Sequence, residues 1–289
     1  MRRIKMIKHT KDKVIFSCEV FPPKRDDDIY EIFKTLDKIK TLKPDFISVT
    51  YGAGGSNSKK TATIAAYIQH ICEVEALAHM TAVGMDDEKL HNILDELSSK
   101  QIHNILALRG DKPRDMSDED FVNRKFKYAS DLIPEINKAG EFLIAGACYP
   151  EVHPESLNQE DDLKYLKHKV DMGMNCLITQ MFFDNNVFYD FMDKAGKVGI
   201  NVPVHAGIMP ITAANQLGTS VKLSGSSVPQ ELSNLIAKYG DNPDDMKKAG
   251  IEYAVNQIKD LKNNGVAGIH LYTMNKADTT VAIYNETFA

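Results

Sequence analysis

No apolar run in this chain approaches the roughly 20 consecutive residues needed to cross a bilayer as a helix, so a membrane-spanning protein is not expected. The start is basic (Arg2, Arg3, Lys5, Lys8), but no apolar segment follows. Residues 1–12 therefore read as a solvated basic leader and not as a secretory signal. The four cysteines, Cys18, Cys72, Cys148 and Cys176, are scattered and form no C-x-x-C pair. A disulfide framework is excluded, and a reducing cytoplasm is the expected compartment. The nine histidines show no H-x-H or H-E-x-x-H spacing, so no metal site is expected. Rossmann and Walker glycine signatures are missing, and Gly52-Ala53-Gly54-Gly55 reads no more strongly than a turn. Nor is there a basic excess: 35 Lys and Arg against 40 Asp and Glu give a net charge of −5, which offers nucleic acid no electrostatic footprint.

What the chain does have is alternation. Eight short apolar runs begin at Val14, Phe46, Ala76, Ile105, Leu143, Cys176, Val202 and Gly268. Most are followed by a stretch of helical periodicity, such as Ile29, Ile32, Phe33, Leu36 and Ile39 after the first. A polar loop is expected after the fourth run, before a helix from Ser130; two or three helices are expected over 213–264, and residues 218–230 read as an extra loop after the seventh strand. Strand-then-helix repeated eight times in 289 residues predicts a (β/α)8 TIM barrel. The continuous apolar runs suit parallel strands buried on both faces. A doubly wound sheet also alternates and is the structural competitor, but eight units close a barrel and leave no second domain. The whole chain, 1–289, is therefore read as one catalytic domain.

A parallel barrel gathers its chemistry where the strands end, because its βα loops converge there. Those ends carry Glu19, Thr50, His79, Arg109 with Asp111, Tyr149, Gln180, Met209-Pro210 and Asn275-Lys276. Glu19 interrupts an apolar strand just before Pro22-Pro23 stiffens the exit. Burial there would raise its pKa and suit it to donate a proton at neutral pH. A structural pairing with a nearby Lys or Arg is the plain alternative. Arg109-Gly110-Asp111 joins a cation that forks to phosphate or carboxylate, a residue that lets a ligand approach backbone, and an anion. Asp111 has two readings here, facing a cofactor ring or pairing with Arg109. Tyr149-Pro150-Glu151-Val152-His153-Pro154 displays a phenol and an imidazole on a stiff loop, or is a turn.

Taken in order, these pieces resemble methylenetetrahydrofolate reductase of the bacterial single-domain type, from about Phe16 to the end. The resemblance rests on Glu19-Val20-Phe21-Pro22-Pro23-Lys24, the stretch from Ser48 to Ser56, and Leu106 to Asp111. It continues through Tyr149 to Pro154, Ile178 to Asp184, and Gly207-Ile208-Met209-Pro210. It implies a noncovalent FAD, NADH or NADPH as electron donor, and ping-pong reduction of 5,10-methylenetetrahydrofolate to 5-methyltetrahydrofolate, which supplies methyl groups for methionine synthesis. It also implies a dimer or tetramer, with small-molecule partners only. The eukaryotic enzyme carries a further regulatory domain, which is not expected in this chain. Glu19 matches the acid that opens the folate's five-membered ring, and Asp111 the acid beside pterin and flavin. FAD contacts carry over to Thr50, Tyr51, Ala53, His79, Arg109, Gly110, Asp111, Tyr128, Ala129, Tyr149, His153, Asp162 and Lys169. Substrate contacts carry over to Glu19, Asp111, Gln180, Gln216 and Lys276.

The chain departs from the family pattern in places. Lys276 stands where Arg is common, replacing a bidentate fork by a point charge. His168 stands at a position often filled by Arg, and Tyr165 replaces a common Asn. Leu217-Gly218-Thr219-Ser220 offers no aromatic face to a nicotinamide. Two rival readings share part of the pattern. One is another FAD-dependent barrel oxidoreductase of the proline-dehydrogenase type, and the other a non-catalytic subunit that binds folate or flavin.

Overall fold

The computed structural model describes residues 7, 13–23, 25, 28–51 and 58–289. Ile7 apart, residues 1–12 lie outside the described residues, as does the whole glycine-dense tract with Ala53; Ile7 itself is buried, which corrects the expected solvated leader at that position. Eight parallel strands close in sequence order into one barrel. They are β1 (Ile15–Val20), β2 (Phe46–Val49), β3 (Glu75–Thr81), β4 (Asn104–Leu108), β5 (Leu143–Cys148), β6 (Cys176–Thr179), β7 (Val204–Ile208) and β8 (Gly268–Tyr272). Every expected run forms a strand. Most stop before the polar residue expected at their exit, and Thr50, Arg109, Tyr149 and Gln180 each come directly after the last residue of their strand.

The described helices are α1 (Ile29–Ile39), α2 (Ser58–His70), α3 (Asp87–Ser99), α4 (Asp118–Asn123), α5 (Ala129–Ala139) and α6 (Gln159–Asp171). After them come α7 (Asn185–Lys197), α8 (Ala214–Ser224), α9 (Gln230–Tyr239), α10 (Pro243–Asn263) and α11 (Ala277–Thr287). Local chemistry starts several of them. Asp86, Asn158, Asp184 and Asn242 each accept a backbone N–H from the first turn of α3, α6, α7 and α10. Ile32, Leu36 and Ile39 recur at helical spacing and turn the buried face of α1 inward.

Two expectations fail. The expected loop over 218–230 is a helix as far as Ser224, since Leu217 and Val221 lie one turn apart and pack on the cluster of Met181, Phe183 and Met209. The stretch before Ser130 holds α4, whose N-cap Ser117 accepts from Asp120 N–H at 3.0 Å.

Period-two alternation sorts β1 into two faces. Phe16, Cys18 and Val20 join the large cluster between sheet and helices, whereas Ile15 joins the cluster inside the barrel. The interior is apolar at the amino end, where Ile15, Phe46, Leu77, Leu106 and Leu143 meet a buried Ile7. Ile7 is anchored there, its N–H donating to Asn104 Oδ1 at 3.3 Å. Toward the carboxyl end the same face of β1 carries Ser17 and then Glu19. All four thiols are buried. Burial pushes Cys72 up to about 11 and Cys176 up to about 12, and it raises Cys18 and Cys148 as well.

Gly207, at the barrel mouth, is among the glycines dictated by close approach. A Cβ on Gly207 would lie 2.8 Å from the Tyr272 ring and closer still to the Thr179 carbonyl. Gly207→Ala should therefore overpack the barrel mouth and cost about 1–3 kcal/mol. Urea unfolding measures this, and an unchanged midpoint would mean that the mouth is looser than described.

Candidate active site

Glu19 sits inside the carboxyl end of the barrel with its side chain 19% exposed. It pairs in register with Ser48 of β2 and Tyr272 of β8. Its Oε2 lies 3.5 Å from His79 Nε2 and 3.8 Å from His270 Nε2. The imidazole of His270 is fully buried and bridged by two serines, Ser17 Oγ at 2.7 Å from Nδ1 and Ser48 Oγ at 3.3 Å from Nε2. Ser17 has a single hydroxyl proton, and its contact with the Ile269 carbonyl at 3.1 Å takes it. Ser17 Oγ then accepts from Nδ1–H, so any second ring proton sits on Nε2, facing Glu19 and Ser48.

Burial alone would raise Glu19. Nearby His270, with His79 and the Ser48 hydroxyl, outweighs it and holds the carboxyl below its usual range. The expectation of a raised Glu19 is thereby overturned: burial acts as foreseen, but Ser48, His79 and His270 from β2, β3 and β8 surround the group. His79 goes the same way. Burial pushes it down to about 4, against the pull of Glu19, so it is neutral at pH 7. Its buried Nε2 makes no hydrogen bond to a described residue.

Tyr272 connects this cluster to the next strands. Its hydroxyl donates to the Thr179 carbonyl at 2.7 Å. Burial raises it well above the ordinary tyrosine range, and the charges of Glu19 and Tyr149 add to that.

The exits of β4 and β5 carry a second group. Arg109 pairs with Glu155, and no ion pair joins it to Asp111. Asp111 is exposed and makes no ion pair among the described residues. Gly110 has φ +82, and a Cβ there would meet Thr81 Cβ at 2.9 Å, so the backbone stays bare at this turn. The Tyr149 and His153 rings meet edge to face at 4.5 Å. Burial pushes Tyr149 up to about 12 and, with the Arg109 charge, lowers His153. Asp162 of α6 braces the loop, accepting from His153 N–H at 3.0 Å and Ser156 Oγ at 3.4 Å. Lys169 reaches inward to the Ala147 carbonyl at 2.9 Å, and burial lowers its pKa. Tyr149, His153, Asp162 and Lys169 line a cavity of about 40 Å³. Tyr128 and Ala129 open α5 beyond this group, with the Tyr128 side chain exposed.

A third group lies at the exits of β7 and β8. Gln216 Oε1 accepts from Thr212 N–H at 3.2 Å, and Nε2 donates to the Pro210 carbonyl at 3.1 Å. Lys276 Nζ reaches Thr212 Oγ1 at 3.1 Å. Gln180, at the exit of β6, accepts from Met181 N–H at 3.0 Å. Thr50 donates its N–H to the Val20 carbonyl at 3.0 Å, and Tyr51 beside it is buried. Ser17, Ser48, His270 and Tyr272 were not singled out from the sequence. The signal was there in β8, whose His270 and Tyr272 share the inward face.

A sequence model described as methylenetetrahydrofolate reductase matches residues 3–287. The chain belongs to the methylenetetrahydrofolate reductase family. It is 34% identical over 271 residues to 5,10-methylenetetrahydrofolate reductase of Pectobacterium carotovorum, covering 94% of this chain and 89% of that one. Against methylenetetrahydrofolate reductase (NADH) 1 of Arabidopsis thaliana the identity is 34% over 279 residues, covering 93% of this chain. The chain spans 47% of that plant relative's length, about half. Among solved structures, a Clostridium thermocellum protein that binds two copies of 5-methyl-5,6,7,8-tetrahydrofolic acid superposes with a TM-score of 0.68. That match covers 95% of this chain and 94% of the other at 14% identity, a likeness of fold. Among the described residues of this family member, no helix is long and apolar enough to cross a membrane, and no cluster of ligands suits a metal.

His79 makes the stability of this barrel depend on pH. Its folded pKa lies below the ordinary histidine value, so the unfolded chain binds more protons between about pH 4 and 6.5. Stability should rise with pH through that window and level off above it, with His79 contributing about 3 kcal/mol. Urea unfolding of the apoprotein at about pH 5 and pH 7 should show this slope, reduced in His79→Gln. An equal slope in the two proteins would place the proton uptake elsewhere.

Proposed function

We propose that the chain reduces 5,10-methylenetetrahydrofolate to 5-methyltetrahydrofolate at the carboxyl mouth of the barrel, as a single catalytic domain. The reading is carried by one observation: in a chain of this family, a carboxylate is held inside the mouth beside two imidazoles. The second group fits a planar cofactor that bears a diphosphate, and we assign it to noncovalent FAD. Three features support the assignment. The bare Gly110 backbone admits a close ligand, Arg109 supplies a guanidinium, and His79 offers a buried nitrogen without a hydrogen bond. Thr50, Tyr51, Ala53, His79, Arg109, Gly110, Asp111, Tyr128, Ala129, Tyr149, His153, Asp162 and Lys169 would hold it. When bound, FAD supplies two-electron chemistry, with hydride taken from NADH or NADPH in one half-reaction and given to folate in the other.

The chain's own residues do the rest. Glu19 donates a proton to the folate nitrogen whose bond to the methylene carbon breaks, opening the five-membered ring to the iminium. In the folate-free protein Glu19 is held as the carboxylate. A pterin covering the mouth excludes water, which favours the neutral acid. His270, with Nδ1 bound to Ser17, presents Nε2 as the adjacent place for that proton. Asp111 brings an unpaired negative charge to the β4 exit and tunes the site's electrostatics. Gln180 and Gln216 read the pterin edge, each amide able to donate and accept. For Gln216 this requires release from the Pro210–Thr212 loop. Lys276 meets the acidic tail of the folate as a point charge. The protein works in the cytoplasm as a homo-oligomer, with folate and a nicotinamide dinucleotide as its partners.

Two experiments test this. Purified protein should be yellow, NADH or NADPH should bleach it anaerobically, and methylenetetrahydrofolate should restore the colour. Colourless protein after incubation with FAD would end the assignment. Glu19→Gln should still bleach, while its recovery with folate slows by about 10²–10⁴-fold. Recovery at the wild-type rate would remove Glu19 from the acid role.

A further inference from the structure

Glu19 is followed by only two residues before Pro22-Pro23, which have no backbone N–H to give. The exit of β1 must therefore be fixed by other means. On the β2 side, Thr50 N–H donates to the Val20 carbonyl at 3.0 Å. On the β8 side the strand ends at Tyr272, the last backbone bond is a long one from Thr273 N–H to the Glu19 carbonyl at 3.4 Å, and side chains continue from there. Thr273 Oγ1 donates to the Glu19 carbonyl at 2.6 Å. The same oxygen accepts from Asn275 N–H at 3.0 Å. Asn275 Oδ1 then accepts from Phe21 N–H at 3.1 Å, and its Nδ2 donates to the Phe21 carbonyl at 2.9 Å. A carboxamide has one acceptor and one donor side by side, as a peptide group does. That of Asn275 stands in for the strand residue β8 no longer supplies.

The backbone bears the mark of this arrangement. Met274 and Asn275 are consecutive non-glycine residues in the left-handed region, with φ 50 and 56. The other described cases, Lys43, Glu73 and Gln101, closely follow helices, where a left-handed residue commonly ends the helix. A left-handed pair at a strand exit costs free energy and persists only where its surroundings hold it. Asn meets both demands at 275, since it tolerates this conformation better than other non-glycine residues and carries the carboxamide.

We propose that Thr273 and Asn275 are positioning residues, which staple the β1 exit to the β8 exit and so fix where the Glu19 carboxylate stands. Both side chains act on the Glu19 and Phe21 backbone. The groups facing Glu19 are His79 of β3, His270 and Tyr272 of β8, and the Ser48 hydroxyl of β2. With the staple gone, Glu19 should drift from these donors. The idea rests on the functional reading above only for its kinetic arm.

Two substitutions test it. Asn275→Gly keeps the left-handed backbone and removes both hydrogen bonds to Phe21. Thr273→Val keeps the shape and removes the hydroxyl. The Glu19 carboxyl is followed by NMR in apoprotein carrying carboxyl-labelled glutamate, its signal assigned by its loss in Glu19→Gln. In the wild type it should titrate below the ordinary carboxylate range, and in both variants its midpoint should move up. In the enzyme loaded with flavin, the folate half-reaction should slow by about 10–100-fold, while the nicotinamide half-reaction stays within about twofold. Asn275→Asp, which retains the acceptor for Phe21 N–H, should recover part of the loss. An unmoved Glu19 titration in a folded variant would overturn the proposal, as would equal slowing of both half-reactions. If Asn275→Gly does not fold, Thr273→Val decides the matter by the same two readings. A wild type inactive toward folate would defeat the functional reading alone, because the NMR titration still reports on the staple.

Discussion

A carboxylate placed inside a closed barrel has to be answered by donors, and that requirement organises the mouth of this protein. Burial of an unpaired charge is far more costly than any surface arrangement, so the residues around Glu19 are not free to vary independently. Ser48 is its register partner on β2, His79 comes from β3, and His270 from β8. His270 is in turn set by Ser17, two residues before Glu19 on the same face of β1. The alternation that sends Phe16, Cys18 and Val20 out to the helices thus brings Ser17 and Glu19 inward together. One strand supplies both the acid and the group that orients its imidazole neighbour.

The remaining rim residues are satisfied by one another to different degrees. Gln216, Thr212 and Lys276 form a closed set of hydrogen bonds between the β7 and β8 exits. Arg109 pairs with Glu155, whose side chain is 62% exposed. An ion pair so open to water contributes little to stability and yields readily to a stronger anion. The mouth therefore joins a stiff interior, built from strand residues, to an outer ring of side chains whose bonds exchange at low cost.

The strands were legible because parallel strands buried on both faces leave continuous apolar runs, and the rim was legible because seven of the eight runs end on a polar residue. Glu19 stood out for the same reason: a lone acid within an apolar strand. What the sequence hid was its protonation, since the donors that lower its pKa belong to strands far along the chain. Local composition misled in another place. Gly218, Thr219 and Ser220 suggest a loop, yet Leu217 and Val221 hold α8 onto an apolar cluster, and tertiary packing prevails over weak propensity. The partner of Arg109 was hidden too, because nothing in Arg109-Gly110-Asp111 says that Glu155 will reach it. The role of Asn275 becomes visible only when β1 and β8 lie side by side.

The buried cysteines have a consequence for handling the protein. Thiolate is the species that alkylating reagents attack, and burial suppresses both access and ionisation at Cys18, Cys148 and Cys176. Cys18 faces the helices from the very strand that carries Glu19. Modification of that sulfur waits for β1 to separate from its helical cover. Its rate in native buffer is a clock for how often the barrel opens at β1.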